Sequence, residues 1–259
     1  MLEAGQLPNL ASLGHFQCLW ILDPTVTKAS WTTQLTGLPA AVHGTMDNLK
    51  WQVAPKGWTV FEVLDEAGIQ SVYVSGKCRP EIPSGNMCVE TGFPLQRASK
   101  ATFVRSDTWG SLSELTSECL RGIGVIGFQG FAFCHYPTPD AVGHNHGGGS
   151  SQYDQALREN DRELGVLLDT LGDVDVLLTS DHGFEKAGDK KELRPEVWPW
   201  RPRRPKGQGF GYGHTVAPLA ILASSLSLKT PANGRDLAKT VYDILGVEAP
   251  NWPDGRSLK

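Results

Sequence analysis

Cysteine is sparse and carries no pattern. The five, Cys18, Cys78, Cys88, Cys119 and Cys134, are scattered and never form a C-x-x-C pair. That argues against a zinc ribbon or a disulfide framework and reads as reduced thiols in an intracellular protein. Long apolar runs are missing too. None approaches the roughly 18 residues of a membrane span, and the opening MLEAGQLPNL has neither the basic nor the apolar part of a signal peptide. These absences predict a soluble, cytoplasmic chain with no membrane partner. An excess of one charge is also lacking. With 24 Lys and Arg against 28 Asp and Glu, a net charge of −4 and the two signs intermixed, there is no global basic field, so duplex nucleic acid is not an expected partner. The sequence shows no internal repeat and no low-complexity tract.

What is present, 259 residues of which 40% are hydrophobic and 20% charged, suits a single domain over 1–259. Short apolar runs alternate with amphipathic stretches, the pattern of a mostly parallel central sheet flanked by helices, an α/β fold. Strands are expected at Phe16 to Leu22, Gln70 to Val74, Phe128 to His135, Val174 to Thr179 and Ala217 to Ala223. Helices are expected at Ala29 to Leu35, Trp58 to Ala67, about Thr108 to Arg121, and Ser151 to Leu171, the last opened by a capping box of Ser151 and Asp154 and closed by Gly172. A final helix puts Leu237, Val241, Ile244 and Leu245 on one face. Residues 76–105, rich in Gly, Pro and Ser, read as a cap or insertion, and 185–213 as a loop over the active site.

Polar clusters fall at the ends of the strand-like runs, where open α/β sheets place ligands. Asp140 and His144 follow the run ending at His135, Asp181 and His182 follow the run ending at Thr179, and His214 precedes Ala217. Carboxylate plus imidazole is the donor mixture of catalytic zinc or manganese. The i, i+4 spacing of Asp140 and His144 lets them converge if their loop makes a helical turn. Taken singly, Asp140 with His144 also reads as loop surface, Asp181 with His182 as a strand-end turn and His214 as an ordinary histidine; the combination at three strand ends is what carries the reading.

A hydroxyl at Thr27, in the stretch DPTVTKAS, would sit at a helix N-terminus, where backbone N–H groups favour phosphate. A bound metal would make it an available alkoxide near neutral pH. The alternative is that Thr25 or Thr27 caps the helix.

The stretches PNLASL, PTVTKASWTTQLTGLPAAVHGTMDN, PTPDAVGH, QYDQALRENDRELGVLLDTL, LLTSDHGF, GYGH, DLAKTVYDILGV and PDGRSL resemble, in order and spacing over nearly the whole chain, the alkaline phosphatase superfamily. The likeness is to its type I phosphodiesterase and nucleotide pyrophosphatase branch. The resemblance implies hydrolysis of phosphodiester or pyrophosphate bonds with two divalent metal ions, zinc or alternatively manganese. One ion would be held by Asp140, His144 and His214, the other by Asp181, His182 and the nucleophile Thr27. Asn48 and the backbone N–H of Lys28 would bind a nonbridging oxygen of a small phosphate ester or nucleotide, and a phospho-threonine intermediate would form. His43 is expected to pack rather than react. Threonine at the nucleophile position argues against sulfate ester cleavage, while phosphomonoester and phosphonate cleavage stay open.

The sequence departs from the family in one respect. Family members carry a strand and a metal-binding aspartate upstream of the PNL segment, and neither is in this sequence. Two accounts are open: a protein that begins further upstream, or a metal-binding homologue impaired by the loss of one ligand. Without that strand its neighbours' edges would be unpaired. Asp23 or His146 are weak candidates to substitute. The basic, Trp-bearing segment Lys190 to Lys206 is either a substrate-selecting element or a solvated Pro-rich loop.

Overall fold

A computed structural model describes residues 5–46, 58–76, 101–105, 111–127, 129–184 and 219–259. Proline at the first helical position starts α1 (Pro8–Ser12), and β1 (His15–Trp20) follows. The next helix, α2 (Thr27–Thr36), stops at Gly37, whose φ of 71° is the left-handed cap that glycine adopts without strain. A short α3 (Ala40–His43) precedes α4 (Val60–Glu66), which opens on a reciprocal capping box between Thr59 and Glu62. Then come β2 (Ser71–Ser75), β3 (Ala101–Arg105), α5 (Leu112–Ile126) and β4 (Phe131–His135). The second half contributes α6 (Thr138–His146), α7 (Ser151–Leu171), β5 (Leu177–Thr179), β6 (Leu219–Ser224), β7 (Ala232–Asn233) and α8 (Asp236–Ile244).

The α/β expectation holds, with two refinements to the sheet. Among the described residues the strands form two sheets, β3-β2-β4 and β5-β6-β1-β7. The first is wholly parallel, but in the second β6 runs antiparallel to both β1 and β5. The expected cap over 76–105 is also corrected at its end: residues 101–105 are a strand in register with Ser71–Ser75. Residues 77–100 of that segment lie outside the described residues. Ser150, not Ser151 with Asp154, caps α7, its side chain accepting from the Tyr153 N–H.

Both sheets sit between the same two helical layers. On one side, Phe131, Phe133 and Leu177 pack with Val60, Phe61, Leu64, Tyr73 and the α8 residues Ala238 and Val241. On the other, Ala132 and Cys134 of β4 meet Leu115 and Cys119 of α5 and Leu167 of α7, while Leu178 beside β6 meets Leu164 and Leu168 of the same α7. One long helix thus spans the two sheets. Between β4 and β5 runs a cavity of about 1250 Å³ lined by both strands. The run at Phe128 to His135 reads from sequence as buried on both faces, yet Phe131 to Cys134 are only half-buried. Their faces are covered by helices, and the exposure is along the cavity edge.

Candidate active site

Helix α2 is polar in sequence yet buried along its whole length, so its hydroxyls must find acceptors. Thr32 Oγ1 donates to the Lys28 carbonyl and Thr36 Oγ1 to the Thr32 carbonyl, each at 2.6 Å. Ser30 Oγ donates to the Asp181 carbonyl at 2.6 Å, and Gln34 Nε2 to the Ser180 carbonyl at 3.2 Å. Thr27, Ser30 and Gln34 stand at i, i+3 and i+7, one face of the helix. The bonds of Ser30 and Gln34 therefore turn the face bearing Thr27 toward the strand end that carries Asp181 and His182. Thr27 is the first helical residue. The cap position is Val26 and no side chain caps the helix, so the capping alternative for Thr25 and Thr27 is not realised. The first-turn N–H groups, that of Lys28 included, point out of the helix start, the arrangement that favours an anion.

The four described metal-ligand candidates come together. The Asp140 carboxylate lies 3.4 Å from His144 Nε2 and 3.8 Å from His182 Nε2, and Asp181 Oδ2 lies 3.2 Å from His182 Nε2. The predicted helical turn is α6, which brings Asp140 and His144 onto one face. His182 Nδ1 faces the Gly183 carbonyl at 3.2 Å; it therefore carries hydrogen and donates, and Nε2 is the atom turned to the carboxylates. Burial alone would lower the His182 pKa, but Asp181 and Asp140 outweigh it and the value is raised. Burial would raise that of Asp181, and the charge and hydrogen bond of His182 overcome it, bringing it to about 2.

Two atoms bound to one tetrahedral ion at about 2.0–2.2 Å stand roughly 3.3–3.6 Å apart, so the 3.4 Å between Asp140 and His144 and the 3.2 Å between Asp181 and His182 suit one shared ion for each pair in donor type and spacing. The donors nevertheless form a pairwise chain. Among the described residues, no three of them close round one point. His214 and Asn48 lie outside the described residues, as do 185–213 and the Lys190 to Lys206 segment. Asp23 is not a substitute ligand: it accepts from the Ala40 N–H at 2.7 Å and pairs with Arg235 at 3.3 Å. His146 is exposed at the end of α6. His43 packs as expected, its Nδ1 accepting from the Thr45 N–H and its Nε2 donating to Thr33 Oγ1. Burial first, and Arg235 in addition, lower its pKa to about 4.

Sequence reasoning missed the aromatic wall of the site. The Phe184 ring stands edge-on to His144 and His182, with centroids 5.1 and 5.5 Å away, and tilts against Tyr153 at 5.8 Å. It fits because α6 has Gly143 there, where an added Cβ would come within 2.8 Å of the ring. Burial, then the carboxylates of Asp140 and Asp181, raise the Tyr153 phenol to about 12. It is therefore a neutral hydroxyl beside the acids at neutral pH. Ser30 and Gln34 were legible only as helical neighbours of Thr27.

Residues 1–201 match the family model described as type I phosphodiesterase / nucleotide pyrophosphatase. Among curated relatives, the phosphopentomutase of Anaeromyxobacter dehalogenans is 28% identical over 230 residues, covering 88% of this chain and 50% of that protein. The 2,3-bisphosphoglycerate-independent phosphoglycerate mutase of Parasynechococcus marenigrum is 31% identical over 162 residues, 57% of this chain and 26% of its own length. Mouse ectonucleotide pyrophosphatase/phosphodiesterase family member 1 is 42% identical over 67 residues, 24% of this chain and 7% of that protein. The chain spans half or less of these relatives. In fold it is similar to murine ectonucleotide pyrophosphatase/phosphodiesterase 5, with TM-score 0.65 and 15% identity over 94% of this chain and 91% of that one. It is likewise similar to a phosphonate monoester hydrolase of Silicibacter pomeroyi, with TM-score 0.60 and 16% identity over 97% and 71%. The architecture is thus alkaline phosphatase-like.

Proposed function

This chain belongs to the type I phosphodiesterase and nucleotide pyrophosphatase family, and from that membership we propose that it hydrolyses phosphodiester or pyrophosphate bonds in small phosphate esters of the nucleotide class. The observation that carries the reading is the bond from Ser30 of α2 to the Asp181 carbonyl, which fastens the helix starting at Thr27 to a cluster of two carboxylates and two imidazoles. The proposed nucleophile is the Thr27 hydroxyl. It forms a bond to phosphorus as the leaving alkoxide or phosphate departs, and water then hydrolyses the phospho-threonine and restores the hydroxyl.

Asp140, His144 and His214 would hold one divalent ion, and Asp181 and His182, with Thr27, a second, most simply zinc, with manganese the alternative. Such ions supply Lewis acidity and lower the pKa of a bound hydroxyl or water. The Lys28 N–H, at the start of α2, and Asn48 are assigned to a nonbridging phosphoryl oxygen. Tyr153 is a neutral hydroxyl near Asp140 and Asp181, and the Phe184 ring lies edge-on against both histidines.

Thr27→Ala should abolish turnover of an activated aryl phosphodiester in zinc-loaded protein, with the melting temperature little changed. Full activity in Thr27→Ala would remove the nucleophile assignment. The likeness to a phosphopentomutase over 88% of the chain supports a second reading, chemistry on phosphomonoesters; faster monoester than diester cleavage by the same preparation would favour it. Zinc binding without any hydrolysis would instead support an impaired homologue.

A further inference from the structure

Asp23 stands in the bend between β1 and α2, four residues before Thr27. Its side chain is 7% exposed, so its carboxylate needs partners. One oxygen accepts from the Ala40 N–H at the start of α3, at 2.7 Å. The Arg235 guanidinium, at the start of α8, reaches both oxygens, Nε to Oδ2 at 3.3 Å and Nη2 to Oδ1 at 3.5 Å. Its remaining nitrogen, Nη1, donates to Asp254 Oδ2 at 3.0 Å. The Asp254 N–H in turn donates to the carbonyl of Gly37, the cap that ends α2, at 2.8 Å. The fit there is close: a Cβ added at Gly37 would stand 2.7 Å from Pro253 Cβ and 3.2 Å from the Arg235 carbonyl. Arg235 is itself fixed, its N–H donating to Asn233 Oδ1 at 2.9 Å, and Asn233 is in register with Trp20 of β1. One guanidinium thus joins the segment that enters α2 to the segment packed on its exit.

We infer that Arg235 is a positioning residue, which sets where Thr27 stands along the α2 axis through its grip on Asp23 and Asp254. The bonds of Ser30 and Gln34 to the Asp181 and Ser180 carbonyls fix which face of α2 is turned to the strand end. A helix of ten residues, about 15 Å long, moves as a rod, so restraints at its entry and exit fix its place along the axis. Arginine suits the task because its planar fork holds two carboxylates at once in set directions, which a lysine ammonium does not. Stability alone explains the arrangement poorly. Asp254 is 61% exposed, and such a pair contributes little, while a buried pair roughly offsets its own desolvation. Placement is what the network adds, and a shift of about 1 Å in a reacting group can cost on the order of 10²-fold in rate. In that catalytic consequence the inference rests on Thr27 as the nucleophile; the placement of the helix does not.

The test compares the whole chain with its double variant Asp23→Asn/Arg235→Met, which leaves no buried charge unpaired and keeps an acceptor for the Ala40 N–H. Amide hydrogen exchange across Val26–Gln34 should quicken about tenfold while that of Ser71–Ser75 stays unchanged. In zinc-loaded protein, kcat for an activated aryl phosphodiester should fall about tenfold or more with KM held within about twofold. Arg235→Lys, which keeps the charge without the fork, should show both effects in smaller size. Arg256→Met, whose guanidinium donates to the Pro231 carbonyl instead, should show neither. Unchanged exchange across Val26–Gln34, equal quickening at Ser71–Ser75, or a loss that appears in KM rather than kcat would overturn the inference. Should the parent chain hydrolyse nothing, the proposed function fails, and the exchange comparison still decides whether Arg235 places the helix.

Discussion

A methyl group added at Gly143 would stand 2.8 Å from three atoms of the Phe184 ring, and that ring touches both His144 and His182. Gly143→Ala should therefore displace the ring at a cost of about 1–3 kcal/mol and weaken zinc binding several-fold by calorimetric titration. In the double variant with Phe184→Ala the two stability costs should fall short of additive, since the second removes the clash made by the first. His43 makes a separate prediction. Its folded pKa, about 4, lies below the 6.5 of an unstructured histidine, so as pH falls the unfolded chain takes up the proton first. This contribution is constant above about pH 6.5 and is lost by up to about 1.4 kcal/mol per pH unit down to about pH 4. His43→Asn, which keeps an acceptor for the Thr45 N–H, should flatten that limb in denaturant unfolding measured from pH 7.5 to 4.

Among the elements, α1 is held from outside itself. Its N-cap, Leu7, offers no side-chain acceptor, and the buried Asp161 of α7 accepts from the N–H groups of Asn9 and Leu10 at 3.2 and 2.7 Å. Asn9 Nδ2 adds a bond to the same carboxylate at 3.1 Å. Asp161→Ala leaves those donors buried and should cost roughly 2–4 kcal/mol, read as a shift in urea midpoint; Asp161→Asn, which retains one oxygen, should cost less. Such cross-element bonds are what the sequence hides. The α7 span was legible from Leu157, Leu164, Leu168 and Leu171 and its stop at Gly172, because helical periodicity is local. Most helices and strands were legible in kind for the same reason. The antiparallel course of β6, the strand at 101–105 and the partnership of Asp161 with α1 were not, because strand pairing and buried polar matching depend on residues far apart in sequence. Of the candidate site, Asp140, His144, Asp181 and His182 were legible because strand ends gather them. Phe184 and Tyr153 were not, since an aromatic residue beside a cluster reads equally well as core.

For the whole molecule, burial is uneven across the strands. β2, paired on both sides and buried at every residue, should hold the slowest-exchanging amides, with Phe131–His135 and Leu177–Thr179 exchanging faster in the chain alone. Hydrogen exchange followed by mass spectrometry distinguishes these segments; equal protection of all three would contradict the described pairing. The 21 residues of α7 extend about 31 Å and grip both sheets, through Leu167 on one and Leu164 and Leu168 on the other. The helix acts as a splint that ties the two sheets to one another.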